Sequence, residues 1–282
     1  MITISNEYLT ATFSEIGAEL KSLKYDDKEY IWYGDPAFWT GSSPVLFPIC
    51  SGLKDDEFIY QGKTYSLQKH GFARRSEWAV EFAEGNTATF LLSSGNCPHD
   101  NFPFEYEFRI TYTLIGKKVV VEYNIKNLTD GDMYFSVGAH EAYNCPEGIE
   151  NYEIIFDKKE NLDAYQLVGP LLSYDTVNYG KDIATLQLDH SLFSNDCLIF
   201  KNLNSRGVTL RNKITDQKIK IDFEGFPYLL IWTAPNAPFI CIEPWCGITD
   251  SIDTNKQLSQ KEGIEKIEKG GSFYRMHCFE II

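Results

Sequence analysis

The stretch Pro238-Phe239-Ile240-Cys241-Ile242-Glu243-Pro244-Trp245 places one carboxylate in a run that is otherwise almost entirely apolar. The run is too short to span a membrane and is typical of a buried strand bounded by prolines. In a strand, Glu243 faces the same side as Phe239 and Cys241. A lone buried charge is expensive, so Glu243 needs a partner, a shifted pKa or a ligand cavity, unless the strand end emerges into solvent. We expect histidines from distant segments to meet this carboxylate.

The composition predicts a globular chain with an acidic surplus. The sequence has 282 residues, of which 43% are hydrophobic and 23% charged, which is enough for a sizeable core. Aromatic residues make up 15%, a content that favours strands. The net charge is −14 and Lys and Arg form no cluster, which argues against nucleic acid or an anionic membrane surface as a partner. A neutral small molecule fits this charge, and a phosphorylated one is not excluded.

Seven cysteines are scattered along the chain without a C-x-x-C pair. Most lie in apolar surroundings, so we expect reduced thiols and neither a disulfide framework nor a zinc site. The first residues, Met1–Asn6, lack the basic start and apolar core of a signal peptide, and no run is long enough to span a bilayer. These features predict a cytoplasmic protein, whose oligomeric state cannot be read from the sequence.

Alternation of apolar and polar residues recurs along much of the chain and predicts strands. The turn Ile115–Lys118 lies between two such segments, which predicts a hairpin. The alternating apolar positions of the hairpin and of two later segments are Phe104, Tyr106, Phe108, Ile110, Tyr112 and Leu114, then Val119, Val121, Tyr123 and Ile125, then Ile219, Ile221 and Phe223, and finally Phe273, Phe279 and Ile281. Residues 35–39 and 257–267 have room only for short helices.

No internal repeat, low-complexity tract or linker divides the sequence. Many short strands with few helices are typical of a β-sandwich or barrel. We predict an all-β fold in which residues 1–282 form a single domain. Two large antiparallel sheets are expected to pack face to face.

Two further segments place polar residues in apolar or glycine-containing settings. In Gln68–Arg75, the glycine after His70 allows a turn or the close approach of a ligand, and Arg74 offers a forked donor suited to oxygens. In Phe135–Asn144, an apolar strand runs into a glycine and then His140, whose imidazole can exchange a proton near neutral pH. Ordinary structural roles for these three side chains stay open from the residues alone.

The remaining histidines show no spacing that suggests metal ligation. His99 and His190 lie in polar, turn-like stretches and are expected at the surface. His277 lies within the last predicted strand and is expected to be structural.

Several motifs occur in an order and spacing that resemble a known family. They are His-Gly-Phe-Ala-Arg at 70–74, Gly-Ala-His at 138–140 followed by Ala-Tyr-Asn at 142–144, and Ile-Glu-Pro-Trp at 242–245, with Pro44–Ile49 and Phe193–Leu198 as further echoes. Together they resemble the aldose 1-epimerase (galactose mutarotase-like) family, specifically its LacX-like branch. The likeness covers nearly the whole chain, from about Asn6 onward.

This resemblance implies a large β-sandwich with a sugar cleft, an aldose as the partner, and neither a cofactor nor a metal. Carried over by position, Glu243 matches the general base and His140 the general acid. His70, near the ring oxygen, and Arg74 match groups that line the sugar site. Asp196 matches an aspartate that binds sugar hydroxyls.

Two departures from the family pattern bear on substrate preference. Glu141 stands where many relatives have proline. The segment Cys50–Lys54 lacks an arginine that relatives often carry shortly after the Phe-Pro-Ile segment.

The implied reaction interconverts the α and β anomers of a hexose by opening and closing the ring. A base takes the proton of the anomeric hydroxyl while an acid protonates the ring oxygen, which requires an ionised Glu243 and a protonated His140. The unperturbed pKa of a glutamate is ~4.3 and that of a histidine is ~6.5, which already favours an ionised Glu243 and a protonated His140. Mutual attraction is expected to separate the two pKa values further. Trp39 or Trp245 could stack on the apolar face of the sugar, with packing in the core as the alternative.

Two competing hypotheses stay within sugar chemistry. A carbohydrate-binding protein without catalysis would keep the aromatic residues but would not need an acid and a base together. A mutarotase specific for a sugar 6-phosphate would need cations, for which Arg74 and Lys54 are available.

The same side chains also suit two kinds of chemistry outside mutarotation. His70, His140 and Glu243 would give the two-histidine, one-carboxylate metal site of non-haem iron enzymes. Glycoside hydrolysis typically uses two carboxylates, and the best second acid in the sequence is Asp196.

Overall fold

The computed structural model describes residues 1–95 and 100–282, and within them strands dominate. The strands are β1 (Ile2–Ser5), β2 (Leu9–Phe13), β3 (Leu20–Tyr25), β4 (Lys28–Glu29), β5 (Glu57–Tyr60), β6 (Lys63–Ser66), β7 (Ala79–Glu84), β8 (Thr87–Ser93), β9 (Tyr106–Ile115), β10 (Lys118–Asn127), β11 (Met133–Phe135), β12 (Val137–Gly138), β13 (Glu141–Asn144), β14 (Tyr152–Glu160), β15 (Asp163–Val168), β16 (Leu171–Asn178), β17 (Ile183–Gln187), β18 (Leu198–Lys201), β19 (Gly207–Asn212), β20 (Lys218–Asp222), β21 (Tyr228–Trp232), β22 (Phe239–Cys246), β23 (Glu265–Ile267) and β24 (Ser272–Ile281). Short 3-10 helices cover Lys54–Asp56, Ala73–Arg75, Ile149–Asn151, His190–Phe193 and Leu258–Gln260.

The largest sheet has nine strands in the order β17-β14-β19-β20-β24-β10-β9-β8-β7. Every pairing along it is antiparallel. The predicted hairpin is part of this sheet, and β9 and β10 pair in register from Ile115 opposite Lys118 to Tyr106 opposite Asn127. At the turn, Gly116 has φ 58°, a left-handed conformation that glycine adopts without strain.

The second large sheet carries the apolar stretch that contains Glu243. Its order is β12-β22-β21-β18-β15-β16, and β13 also pairs with β22. From Phe239 onward the stretch lies in β22, and all eight residues of this strand are buried. Its two faces differ as the alternation predicts, since Ile240 and Ile242 belong to the main core while Phe239 and Cys241 pack in a smaller cluster behind the other face.

The main core lies between these two sheets. It contains residues of the nine-stranded sheet, such as Phe108 and Phe279, together with Ile231 and Ile242 of the second sheet. The ring centroids of Tyr143 and Phe279 lie 5.7 Å apart across the gap between the sheets. The prediction of an all-β protein with two packed antiparallel sheets is therefore confirmed.

Local expectations had mixed outcomes. Residues 35–39 form one hydrogen-bonded turn, in which the amides of Phe38 and Trp39 donate to the carbonyl of Asp35. The expectation of a short helix at 257–267 was wrong for the second half, because Glu265–Ile267 is a strand paired with β11. No helix among the described residues is long and apolar enough to cross a membrane.

Phe47 provides a test of the core. It is fully buried and its ring lies within 6.0 Å, centroid to centroid, of five other aromatic rings. Phe47→Ala should lower the free energy of unfolding by about 3–5 kcal/mol, because it removes buried surface and leaves a cavity. Denaturant titration measures this change. The control Phe82→Ala, at a ring that is 46% exposed, should change stability by about 0.5 kcal/mol or less, and equal losses in both variants would contradict this account.

Candidate active site

His140 and Glu243 face each other across two antiparallel strands. Gly138 pairs with Trp245 and Glu141 pairs with Ile242, so the same register places His140 opposite Glu243. The distance between His140 Nε2 and Glu243 Oε2 is 3.3 Å, and the two side chains are 9% and 3% exposed. The sequence-based expectation that a distant histidine meets the buried carboxylate is confirmed.

Pro244 and Trp245 explain why the pairing between strands is interrupted beside this pair. The amide of Ala139 donates to the carbonyl of Pro244, but proline has no N–H to return the hydrogen bond. The indole Nε1 of Trp245 donates instead to the carbonyl of Ala139 at 2.9 Å. The Glu-Pro-Trp sequence therefore interrupts the backbone hydrogen bonds between the two strands next to the carboxylate. The carbonyl of Ala139, which lacks a backbone donor there, accepts a hydrogen bond from the indole instead.

A cavity of about 270 Å³ opens on this pair. Its volume is slightly below the roughly 300–1,000 Å³ typical of small-molecule pockets. The wall contains all five residues that the sequence proposed for the site, namely Glu243, His140, His70, Arg74 and Asp196.

His70 is buried and held in one tautomer. Its ring Nδ1 accepts a hydrogen bond of 3.0 Å from the amide of Ser51, so the proton of the neutral ring lies on Nε2. Burial lowers the pKa of His70 well below its usual value, and neighbouring His140, Lys69 and Arg74 add to the effect. His70 is therefore a neutral donor in the cavity wall. Its backbone has φ 67°, followed by Gly71 at φ 66°, so the chain turns sharply here.

Arg74 and Asp196 bring opposite charges to the cavity. Arg74 Nη2 donates to the carbonyl of Lys69 at 3.0 Å, and its buried Nε has no hydrogen-bond partner among the described residues. Burial lowers the pKa of Arg74 from its usual value. Asp196 lies 3.9 Å from Lys69 Nζ, measured at Oδ2. Lys69 also lines the cavity, although no feature of its sequence surroundings marked it as a site residue.

Aromatic residues form the other part of the wall. Trp39, Trp232 and Trp245 all line the cavity. Trp39 stacks on His140, with ring centroids 5.1 Å apart and an interplanar angle of 24°. Trp232, which was not expected in the site, meets His140 edge-on at 5.9 Å. These rings hold the imidazole plane in place as well as shaping the cavity.

The pKa shifts of the facing pair run opposite to the expectation from mutual attraction. Burial raises the pKa of Glu243 well above its usual value, with Lys69 opposing and Asp196 and Glu141 adding to the rise. Burial lowers the pKa of His140 to about 3. The loss of water around both groups outweighs their attraction, because each charged form is poorly solvated. Both shifts favour the state in which the carboxyl holds the proton and the imidazole is neutral.

The donor atoms for a metal differ from those expected. Among the residues described, the His/Cys/Asp/Glu group compact enough to hold an ion is His140, Cys241 and Glu243, whose donor atoms lie within 4.8 Å of one another. His70 is absent from it, and its Nδ1 is already bonded to Ser51. Burial raises the pKa of Cys241 well above its usual value, which disfavours the thiolate that a metal would need. This donor set fits a metal poorly.

Several residues that the sequence places outside the site, or considers for other roles, lie away from the cavity. His190 is half-buried in a 3-10 helix and His277 is buried in β24; neither contributes to the cavity wall. His99 lies outside the described residues. Lys54, considered as a phosphate ligand, donates its Nζ to the carbonyl of Ile252 and does not line the cavity. The six described cysteines are free thiols.

Comparison with known proteins identifies the family of the chain. The family model described as aldose 1-epimerase matches residues 1–265, and the chain belongs to that family. It is 36% identical over 281 residues to the plasmid-encoded protein LacX of Lactococcus lactis subsp. lactis, covering 94% of each chain.

Solved structures give the same result. A galactose mutarotase related enzyme from Lactobacillus acidophilus superimposes with a TM-score of 0.94 at 30% identity, over 99% of this chain and 96% of that one. A galactose mutarotase-like protein from Lactobacillus casei superimposes with a TM-score of 0.93 at 30% identity, over the full length of this chain and of that one. The predicted family is therefore confirmed.

Glu243→Gln tests the cause of the pKa shift of Glu243. Because the folded-state pKa lies above the unfolded value near ~4.3, this group stabilises the fold fully below that value, and the contribution is lost as pH rises through the folded-state pKa. The Gln variant lacks this dependence. Its stability relative to the wild type should therefore increase as the pH rises above the unfolded pKa, by about 1.4 kcal/mol for each pH unit up to the folded-state pKa.

Urea denaturation at a series of pH values measures this difference, with Glu84→Gln on exposed β7 as the control for loss of a surface carboxylate. A Gln variant that loses stability relative to the wild type as pH rises would show that Glu243 is stabilised as an anion.

Proposed function

We propose that the protein is an aldose 1-epimerase, or mutarotase, that interconverts the α and β anomers of a hexose. The observation that carries the proposal is the contact of 3.3 Å between His140 Nε2 and Glu243 Oε2 in the wall of a cavity. A proton acceptor and a proton donor at this separation can reach two oxygens attached to the same carbon. In a cyclic hexose those are the anomeric hydroxyl and the ring oxygen.

In the proposed reaction, the carboxylate of Glu243 takes the proton of the anomeric hydroxyl. His140 gives its proton to the ring oxygen while the bond between C1 and that oxygen breaks, leaving an open-chain aldehyde. Rotation about the C1–C2 bond exposes the other face of the carbonyl. Ring closure then returns one proton to the anomeric oxygen and one to His140. No proton is gained or lost overall, so the net charge of the buried pair is the same before and after the reaction.

Before a sugar binds, the pKa shifts disfavour the charged state of the pair with which the proposed reaction starts. A sugar bound in the cavity supplies oxygens that hydrogen-bond to the charged forms of both groups, replacing the water that burial removed. The state with ionised Glu243 and protonated His140 is thereby brought closer in free energy to the neutral state. Each positioned proton-transfer group contributes about 10²–10⁴-fold to the rate.

The remaining polar groups are assigned to binding. Neutral His70 donates its Nε2 proton to an oxygen at or near the ring oxygen. Asp196 accepts from sugar hydroxyls, and Arg74 donates to sugar oxygens through its guanidinium. Trp232 offers an apolar surface to the sugar, since one face of Trp39 is occupied by His140.

Loss of either member of the pair tests the reaction. Glu243→Gln and His140→Asn should each slow anomer interconversion by about 10²–10⁴-fold, because one proton transfer is lost in each. Polarimetry on freshly dissolved α-glucose and α-galactose measures the rate above the spontaneous one. His190→Asn, a histidine outside the cavity wall, should keep full activity. A wild type that leaves the spontaneous rate unchanged while binding sugar would indicate the non-catalytic alternative, and full activity of either variant would remove its assigned role.

Asp196→Asn and Arg74→Ala test the binding assignments. Each should raise KM by roughly tenfold or more with a smaller effect on kcat, because contacts to hydroxyls hold the sugar in the ground state as well as in the transition state. Initial rates from NMR of the anomeric protons give both constants.

The same assay with hexose 6-phosphates distinguishes the phosphate-specific alternative, for which Lys69 and Arg74 are the cations at the cavity. If only the 6-phosphates were turned over, the substrate would be a hexose 6-phosphate and not the neutral sugar. Hydrolysis of an aryl glycoside at a comparable rate would favour a glycosidase instead.

A further inference from the structure

A second acid–imidazole pair lies on the opposite face of the strand from His140. Glu141, the next residue, points into the main core, where its Oε1 lies 3.0 Å from His277 Nε2. The side chains of Glu141 and His277 are 6% and 0% exposed. Glu141 comes from β13 of the second sheet and His277 from β24 of the nine-stranded sheet. This hydrogen bond therefore joins the two sheets directly behind the proposed acid–base pair.

The surroundings of this second pair are aromatic. His277 is stacked on Tyr123 at 5.7 Å and on Phe279 at 6.3 Å, with Phe226 edge-on at 5.9 Å. The other polar atoms of the pair, Oε2 of Glu141 and Nδ1 of His277, have no hydrogen-bond partner among the described residues. The pair thus contains one directional bond in a setting that otherwise suits apolar side chains.

Such a pair contributes little to stability. Replacing a buried ionic or polar pair by apolar residues of similar volume is often neutral or stabilising, whereas removing one partner alone is strongly destabilising. What a hydrogen bond adds over apolar packing is a fixed distance and direction. The pair is therefore suited to holding a backbone segment in one position.

The segment that it holds contains His140. The strand pairing is interrupted between Gly138 and Glu141, where Pro244 cannot donate a hydrogen bond. On the N-terminal side of the gap, the indole of Trp245 restrains Ala139. On the C-terminal side, the side-chain hydrogen bond nearest to the gap is the one between Glu141 and His277.

We propose that Glu141 and His277 are positioning residues that fix the backbone at His140, and so fix the contact between His140 and Glu243. This inference rests on the proposed function for its effect on rate, but not for its effect on the position of His140. A displacement of the imidazole by about 1 Å is enough to slow a reaction by about 10²-fold.

The apolar double variant Glu141→Leu/His277→Phe separates position from stability. It should fold with a thermal midpoint close to or above that of the wild type, while kcat for anomer interconversion falls by about 10–100-fold. The affinity of the double variant for 1,5-anhydroglucitol and 1,5-anhydrogalactitol, which lack the anomeric hydroxyl, should equal that of the wild type. Calorimetry measures this affinity. Glu141→Gln keeps an acceptor for His277 and should recover most of kcat.

A matched control is the buried Glu160, 3% exposed, which accepts from the amide of Ser205 at 2.6 Å in a different part of the nine-stranded sheet. Glu160→Gln should leave kcat unchanged even where it lowers the thermal midpoint. Wild-type kcat in the double variant would overturn the proposal. An equal fall of kcat in Glu160→Gln would do so too, since general loosening would then explain the loss.

NMR of the His140 imidazole without any sugar tests the same inference independently of turnover. The double variant should shift or broaden its ring resonances relative to the wild type, and Glu141→Gln should restore them. Unchanged resonances in the double variant would overturn the positioning role. A wild type without activity would refute the proposed function alone, and the NMR result would still decide the position of His140.

Discussion

Removal of water from around a carboxylate and an imidazole that face each other is the constraint on which the rest of the structure depends. Glu243 and His140 are both nearly fully buried, so each pays for its charged form in lost hydration. A fold that tolerates this arrangement must hold the two groups rigidly and leave room for a molecule that restores polar contacts. The two large sheets provide the rigidity, and strands β21 and β22 line the cavity together with connections between strands. The same desolvation that destabilises the empty site strengthens the electrostatic contacts made to a bound ligand.

The strand β22 shows how one sequence meets both demands. Ile240 and Ile242 fill the core between the sheets, while Glu243 on the other face meets the cavity. Pro244 interrupts the regular pairing and Trp245 repairs it with an indole hydrogen bond. Beyond the gap, the adjacent strand is held from behind by the contact between Glu141 and His277. Apolar packing therefore sets the sheet, and a few directional polar contacts set the position of the reactive groups.

Much of the fold was predictable because its signals are local. The alternation on either side of Gly116 defines the β9–β10 hairpin and its register. The faces of β22 follow from the two-residue period of a strand. The family resemblance brought Asp196 into the site, although its surroundings in the sequence are ordinary. The contributions of Lys69 and Trp232 were missed because neither stands out from its neighbours.

The electrostatics were harder to predict, since they depend on burial from every side. From unperturbed pKa values alone, an ionised Glu243 facing a protonated His140 was the natural expectation. The structure reverses the direction of both shifts because solvent is excluded by segments such as Trp39 and Trp232 that are distant in sequence. Likewise, in the sequence Glu141 is only a departure from the family pattern. The structure adds the hydrogen bond between its carboxyl group and His277.

The place of β24 has a consequence for biosynthesis. This strand, residues 272–281, lies between β20 and β10, so it joins the two halves of the nine-stranded sheet. Until β24 has left the ribosome, no strand joins the two halves. Their inner edges, formed by β20 and β10, then expose unpaired backbone groups. Closure must then wait for contacts that are far apart in sequence, a topology associated with slow folding. Nascent chains stalled before residue 272 are thus expected to expose two unpaired strand edges, which favours aggregation.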